Sequence, residues 1–434
     1  MKKSKFIQSS ILLLIGGFMT KVLGMLSRIV LTRKLGTLGM GTYSLLMPTF
    51  MLFLSISGMG LSTALNVLIA TDKYNNKNLL ITSLMLSFFM NIIISIIILI
   101  SGDFLVNQLL HEPILYFPLL SILFVLPFIS ISNIFRSYFF AKERMIPHVF
   151  SNILEDLWKL LLIIGCMNFF LNSLEQALTF LMMTNILCEF SSIIIFLICF
   201  PKFQLHKEDF RLQMQTLKAI FKISIPTTIS RLIGSITYFL EPIILTTILL
   251  KLGYSKNTII TEYGTINGYV LPILMLPSFF TNAISQALMP IISKYYHKKD
   301  FAYVKRKLLQ AIGISLTIGV TYSVICFFYH SELLEFLYQT NVGSEYILFL
   351  IPVFIFYYLE GPLLTTLQAM NKANLNLKIS CVNFFIRTIL LSILTFFSIG
   401  MYGLLIALSI NILFTVVYST YKIRQSLHFS KTII

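Results

Sequence analysis

Apolar stretches about as long as a bilayer is thick recur from one end of this chain to the other. "LLITSLMLSFFMNIIISIIILI" is one, running from Leu79 to Ile100. Hydrocarbon offers no partner to a backbone N–H or C=O, so only helices and closed barrels cross it. Roughly 20 apolar residues, at 1.5 Å each, make a helix that spans a core of about 30 Å. A barrel would instead show alternating segments of about ten residues, and none is seen. Composition agrees: 57% of the 434 residues are hydrophobic and 12% are charged, where a soluble protein has about 25% charged. The expected class is an all-α polytopic membrane protein.

About twelve spans are expected, near 6–31, 41–70, 79–101, 114–140, 149–171, 176–200, 219–250, 260–292, 308–329, 345–370, 379–399 and 401–422. The N-terminus "MKKSKFIQSSILLLIGGFMTK" starts like a signal peptide, but no small-residue cleavage site follows and the apolar pattern continues, so an uncleaved first helix is expected. The loops alternate in charge. One set holds the N-terminus, "TDKYNNK", "AKERMIPH", "PKFQLHKEDFRLQMQTLK", "SKYYHKKDFAYVKRK", "NKANLNLK" and the C-terminal tail. The other, around "SGDFLVNQLLHEP", "NFFLNSLEQ", "HSELLEFLYQTNVGSEY" and Gly400, has no Lys or Arg. The positive-inside rule then puts both termini in the cytoplasm. Arg33, Lys34, Lys251 and Lys256 break that pattern. They fall in two loops that become equivalent if six spans are followed by a repeat of six.

"KLG" occurs at Lys34–Gly36 and again at Lys251–Gly253, each followed by a Gly-Thr and a long span containing proline. The longest loop lies between the halves. The expected organisation is an N-terminal six-helix lobe (1–200), a cytoplasmic linker (201–218) and a C-terminal six-helix lobe with a short tail (219–434). Two such bundles around a central cavity are a transporter plan, with the substrate site between them. Two cytoplasmic stretches, "DFRLQMQTLKAIFK" and "DFAYVKRKLLQ", are amphipathic and read as interfacial helices on anionic lipid.

Charges inside spans cost roughly 2.5–3.5 kcal/mol each on insertion scales and therefore face protein or water. Lys21 and Arg28 in span one are seven residues apart. At about 100° per residue they point within about 20° of one another, about 10.5 Å apart along the axis. That is a cationic stripe with no acid in its own helix. Its counter-charge must come from another helix or a ligand, although Arg28 is near enough to the span end to snorkel. Arg231 in span seven is placed with them. Glu155 and Lys159 have the spacing and order of an i, i+4 pair. Glu241, just before Pro242, and Glu360, before "GP", are candidates for ion pairs or for binding a coupling cation. Arg136 and Arg387 are further intramembrane cations and rank below these as candidates.

Stacked cations suit a polyanionic head group such as phosphate or pyrophosphate. Other classes find less support. The net charge of +16 is spread over short loops, so no nucleic-acid-binding domain is expected. No GxxxxGK[ST] motif is present, so the driving energy would come from membrane potential, an ion gradient or product consumption. The five cysteines, Cys166, Cys188, Cys199, Cys326 and Cys381, form no CxxC pair and read as small buried hydrophobes. His111-Glu112 and His330 with Glu332 read as solvated loop residues. No catalytic centre, metal or cofactor is expected.

"KVLGMLSRIVLTRKLGTLGMGTYSLLMP" resembles the opening signature of the polysaccharide-transport branch of the multidrug/oligosaccharidyl-lipid/polysaccharide (MOP) flippase superfamily. "ISIPTTISRLIGSITYFLEPIIL", followed by "YGTINGYVLPILMLPSFFTNAISQALMPIIS", is similar to the stage V sporulation protein B group. The resemblance covers nearly the whole chain. It implies export of an undecaprenyl-pyrophosphate-linked sugar through a cavity between two lobes of a bacterial cell-membrane protein, with cell-wall or spore-cortex synthesis enzymes as partners. It also implies that first-helix cations meet the pyrophosphate, which falls on Lys21 and Arg28, with Arg231 in the shared "SRLIGS" block. Relatives commonly carry two further helices that form a groove for the lipid tail, and this chain stops near its twelfth span. Three other readings stay open: a cation-coupled multidrug exporter of the same fold, a membrane glycosyltransferase or polymerase, and a non-transporting partner of cortex enzymes.

Overall fold

A computed structural model describes residues 2–70, 74–200, 213–370, 373–397 and 399–429. In chain order the helices are α1 (Lys2–Gly58), α2 (Leu61–Ala70), α3 (Asn76–Phe104), α4 (Tyr116–Ala141), α5 (Met145–Gly165), α6 (Leu174–Cys199) and α7 (Met214–Lys251). Then come α8 (Lys256–Thr265), α9 (Leu271–Leu274), α10 (Ser278–His297), α11 (Phe301–Tyr338), α12 (Ser344–Ala369), α13 (Ala373–Phe396) and α14 (Tyr402–Phe429). No strand occurs among the described residues.

Nine helical segments among these residues are long and apolar enough to cross a membrane, ten if the bent pair Lys256–Leu274 and Ser278–His297 is one span. Two features reconcile this with the dozen spans read from sequence. Residues Ile15–Ile69 are one helical stretch by length, yet at 1.5 Å per residue it is far longer than a bilayer is thick, and it breaks at Gly36, where φ is 67° and ψ is −174°. α5 is long enough to span but carries Glu155, Asp156 and Lys159, too many charges for an apolar segment.

Contacts divide the chain within α7 into residues 1–239 and 240–434. Of the expected linker 201–218, residues 201–212 lie outside the described residues, and residues from Met214 onward already belong to α7. Inside the first unit α4 is central and packs against α1, α2, α3, α5 and α6. Its Phe139 stacks on Phe196 of α6 at 5.3 Å between ring centres, in a core with Leu65, Leu79 and Ile220. Inside the second unit α12 holds the same place among α10, α11, α13 and α14. Gly319 of α11 is required there, because a Cβ would come within 2.5 Å of the Tyr358 ring. The Tyr358 hydroxyl in turn donates to the Leu274 carbonyl at 2.5 Å.

Helix interfaces use small hydroxylated residues, as expected where lipid gives no hydrophobic drive between helices. Ser57 donates to Asn91 Oδ1 at 2.6 Å and lies 2.8 Å from the Ser130 hydroxyl. Large apolar side chains such as Phe88, Ile100, Ile198 and Phe328 point outward, as a hydrocarbon solvent permits. The two "KLG" triplets share a backbone feature. Gly36 and Gly253, the last residues of the two "KLG" triplets, take φ values of 67° and 87°, a region open to glycine without a Cβ clash. The span after each then breaks about two dozen residues on, at Met59–Gly60 and at Met275–Pro277.

Candidate functional site

The first half of α1 presents its cations outward. Lys21 and Arg28 are both exposed. Gly17 and Gly24 lie on the same helical face, four residues before each, and a Cβ at either would meet no atom within 4 Å. Each cation therefore stands one turn from bare backbone, and the stripe has room for a bulky anionic group. The buried side of this helix carries Ser27 and Leu31, and Gly16 packs directly against Val149 of α5. Lys21 is near enough to Asp156 of α5 for their charges to interact. An acid on the neighbouring helix thus lies within electrostatic range of Lys21. At the other end, Lys34 donates to the carbonyls of Ile163 and Ile164 at 2.8 and 2.9 Å. A lysine on the last carbonyls of a helix is favourable to its dipole, which explains one cation that broke the topological rule.

Arg231 sits on the first half of α7, within the first unit. Its Nη2 donates to Thr63 Oγ1 at 3.0 Å. It borders a cavity of about 190 Å³ whose polar lining is Ser55, Ser62, Ser87, Ser130 and Asn133. Ser55 and Ser235 pair across α1 and α7 at 2.6 Å. Such a pocket offers one guanidinium and several hydroxyl and amide groups, the donor set that phosphate or sugar oxygens accept.

Beside these lies a charge cluster on α4, α5 and α6. Arg136 bonds Glu155 at 2.8 Å and approaches Glu189 at 3.7 Å. Lys159 donates to Asn185 Oδ1 at 3.4 Å. Glu155 thus takes a cation from α4 rather than Lys159 one turn away on its own helix. One guanidinium serves two carboxylates, and Glu189 is buried.

In the second unit Glu241 of α7 is 2% exposed. It forms an ion pair with Arg387 of α13 and accepts from the Tyr263 hydroxyl at 3.2 Å. The two ends of α7 therefore carry their charges into different units, Arg231 in the first and Glu241 in the second. Glu360 lies on α12 with no hydrogen bond or ion pair among the described residues. Its neighbour Gly361 faces Ser285 of α10 closely enough that a Cβ would sit 2.8 Å from the hydroxyl. Sequence reasoning ranked Arg136 and Arg387 below the other intramembrane charges, yet both are the centres of their clusters. The only signal for them was the number of acids that needed partners. No group of three His, Cys, Asp or Glu side chains among the described residues could hold a metal ion.

A family model described as "Polysaccharide biosynthesis protein" matches residues 6–296, and one described as "MatE" matches residues 265–394. Stage V sporulation protein B of Bacillus subtilis (strain 168) is 31% identical, over 94% of this chain and 81% of its own length. Capsular polysaccharide biosynthesis protein CapF of Staphylococcus aureus is 30% identical, over 56% of this chain and 58% of its own length. Among solved structures, the inward-facing conformation of a multidrug resistance MATE family transporter of the MOP superfamily matches with a TM-score of 0.74. It covers 98% of this chain and 99% of that one at 15% identity, a likeness of fold. The chain belongs to the polysaccharide biosynthesis protein family, and it is a multi-pass membrane protein with the fold of that MATE transporter.

Proposed function

We propose that this protein moves an undecaprenyl-pyrophosphate-linked saccharide, a cell-wall, spore-cortex or capsule precursor, outward across the bacterial cell membrane by alternating access. The observation that carries this reading is the exposed stripe of Lys21 and Arg28, each one turn from an uncovered glycine. Two cations about 10.5 Å apart along one helix match a head group with more than one phosphate. An uncharged drug would make no use of either charge. Arg231 and its hydroxyl-lined pocket add donors suited to the phosphate or the first sugar. On binding, the pyrophosphate competes with Asp156 for Lys21. The saccharide crosses in the polar interior while the prenyl tail stays in lipid.

Of the two candidates for a coupling cation, Glu241 is already engaged by Arg387 and Tyr263, which leaves Glu360 alone to support a cation-coupled drug exporter. The charge asymmetry of the loops favours cytoplasmic termini. Cell-wall or cortex synthesis enzymes are the partners that would consume the product.

Binding tests the reading. Purified protein is titrated with undecaprenyl pyrophosphate and, separately, with undecaprenol, in wild type and in Lys21→Ala, Arg28→Ala and Arg231→Ala. A charge-assisted hydrogen bond contributes about 1.5–3 kcal/mol, so each variant is expected to weaken the pyrophosphate lipid by about ten-fold or more and leave undecaprenol unchanged. Equal affinity of wild type for both lipids would overturn the assignment.

A further inference from the structure

The turn between α10 and α11, with the helix ends that flank it, carries Lys294, Lys298, Lys299, Lys305, Arg306 and Lys307 and one acid, Asp300. Asp300 is already committed, its Oδ1 accepting from the Tyr303 backbone N–H at 3.0 Å as the cap of α11. None of the six cations pairs with an acid among the described residues. They are nevertheless gathered. Tyr295 and Tyr303 lie ring to ring at 4.0 Å. The Lys294 and Lys298 ammoniums sit 5.7 and 6.0 Å from the Tyr295 ring centre, and Lys307 sits 5.5 Å from that of Tyr303. A second edge of the same surface is α14, where Lys422 covers Tyr418 and Tyr421 at 5.7 and 5.3 Å. Tyr295, Tyr296 and Tyr418 pack on one shared core.

Like charges held this close repel unless an anion joins them. Cation–π attraction to the two rings fixes where they stand but leaves their charge unneutralised. The position of the turn supplies the anion. α11 runs 28 residues from Phe301 before its non-helical break at Tyr329, about 42 Å at 1.5 Å each, against a hydrocarbon core of about 30 Å. Its first turns therefore extend into the headgroup layer, where tyrosine is favoured and anionic lipids draw Lys and Arg.

We propose that the tyrosine-braced lysines of the α10–α11 turn form a binding site for the phosphate of an anionic phospholipid headgroup, distinct from the residues assigned to the transported substrate. Lys294, Lys298 and Lys307 make the charged contacts, the Tyr295–Tyr303 pair sets their spacing, and Lys422 closes one side.

The test uses the full chain purified in detergent. Retention of dioleoyl phosphatidylglycerol against dioleoyl phosphatidylcholine is counted by native mass spectrometry. At about five-fold per lysine near an anionic surface, wild type is expected to prefer the glycerol lipid at least ten-fold. Lys294→Gln/Lys298→Gln/Lys307→Gln should bring the preference to within about two-fold at unchanged melting temperature. A matched control, Lys142→Gln/Arg144→Gln/Lys218→Gln, removes as much charge elsewhere and should keep the preference. Tyr303→Leu leaves every charge in place and should lose part of it. Inorganic phosphate at 50 mM should not compete, since the bound phosphate is held by a lipid. The proposal is overturned if wild type shows no preference, if the control loses as much as the turn variant, or if free phosphate displaces the lipid.

Discussion

Removing the guanidinium of Arg387 strands a carboxylate in the second unit. Glu241 is 2% exposed, and its remaining partner is the neutral Tyr263 hydroxyl at 3.2 Å. Breaking a buried pair from one side costs about 3–5 kcal/mol, because the surviving charge is left uncompensated. For a unit of this size, residues 240–434, each kcal/mol moves the melting temperature by about 2–4 °C. Arg387→Ala should therefore lower the melting of the second unit by about 6–20 °C. Replacing both partners, as Glu241→Gln/Arg387→Met, removes the stranded charge and should recover most of that loss. The assay is thermal unfolding in lipid nanodiscs, read by a thiol-reactive dye at Cys326, which is buried in this unit, in a background where the other four cysteines are serine. If Arg387→Ala melts within 2 °C of wild type, or if the double variant is worse than the single, the pair does not hold α7 to α13 as described.

Other expectations follow from the same geometry. Arg136→Ala leaves two carboxylates without their shared guanidinium and should destabilise the first unit by more than Lys159→Met, whose hydrogen-bond partner among the described residues is the Asn185 amide; paired melting curves in nanodiscs decide it. Gly24→Leu fills open space beside Arg28, so it should leave melting within about 1–2 °C while reducing lipid-linked saccharide transport several-fold; a large melting loss with full transport would mean that this face is packed rather than open. Gly319→Ala forces a methyl into the Tyr358 ring and should cost about 1–3 kcal/mol, as overpacking does, measured by the same unfolding assay.

The fold class was legible because hydrocarbon imposes a period and a length on every span. The tripeptide "KLG" was visible twice in the sequence, and its glycine takes positive φ both times, at Gly36 and Gly253. Charge pairing was less legible. The i, i+4 rule brought Glu155 to Lys159, but the tertiary fold puts Arg136, 19 residues earlier, at 2.8 Å. Glu241 and Arg387 are on helices far apart in the chain, and nothing local links them. Lys34 and Lys21 follow the same logic: the helix beside them is α5, and nothing local in the sequence links either to it. The stripe of Lys21 and Arg28 was visible from spacing alone. The glycines that leave it uncovered became meaningful only once the empty space beside Gly17 and Gly24 was known.

Under the proposed function, Lys21 and Arg28 hold the pyrophosphate of a lipid-linked saccharide during transport. The most direct measurement is outward movement of labelled lipid II, with a capsular-type undecaprenyl-pyrophosphate saccharide in parallel, by the protein in sealed liposomes. Wild type is compared with Lys21→Ala, Arg28→Ala and Lys21→Arg. The account expects movement of at least one of these lipids by wild type, loss of about ten-fold or more in each alanine variant, and partial retention in Lys21→Arg. Full transport by both alanine variants, with the protein folded, would contradict it.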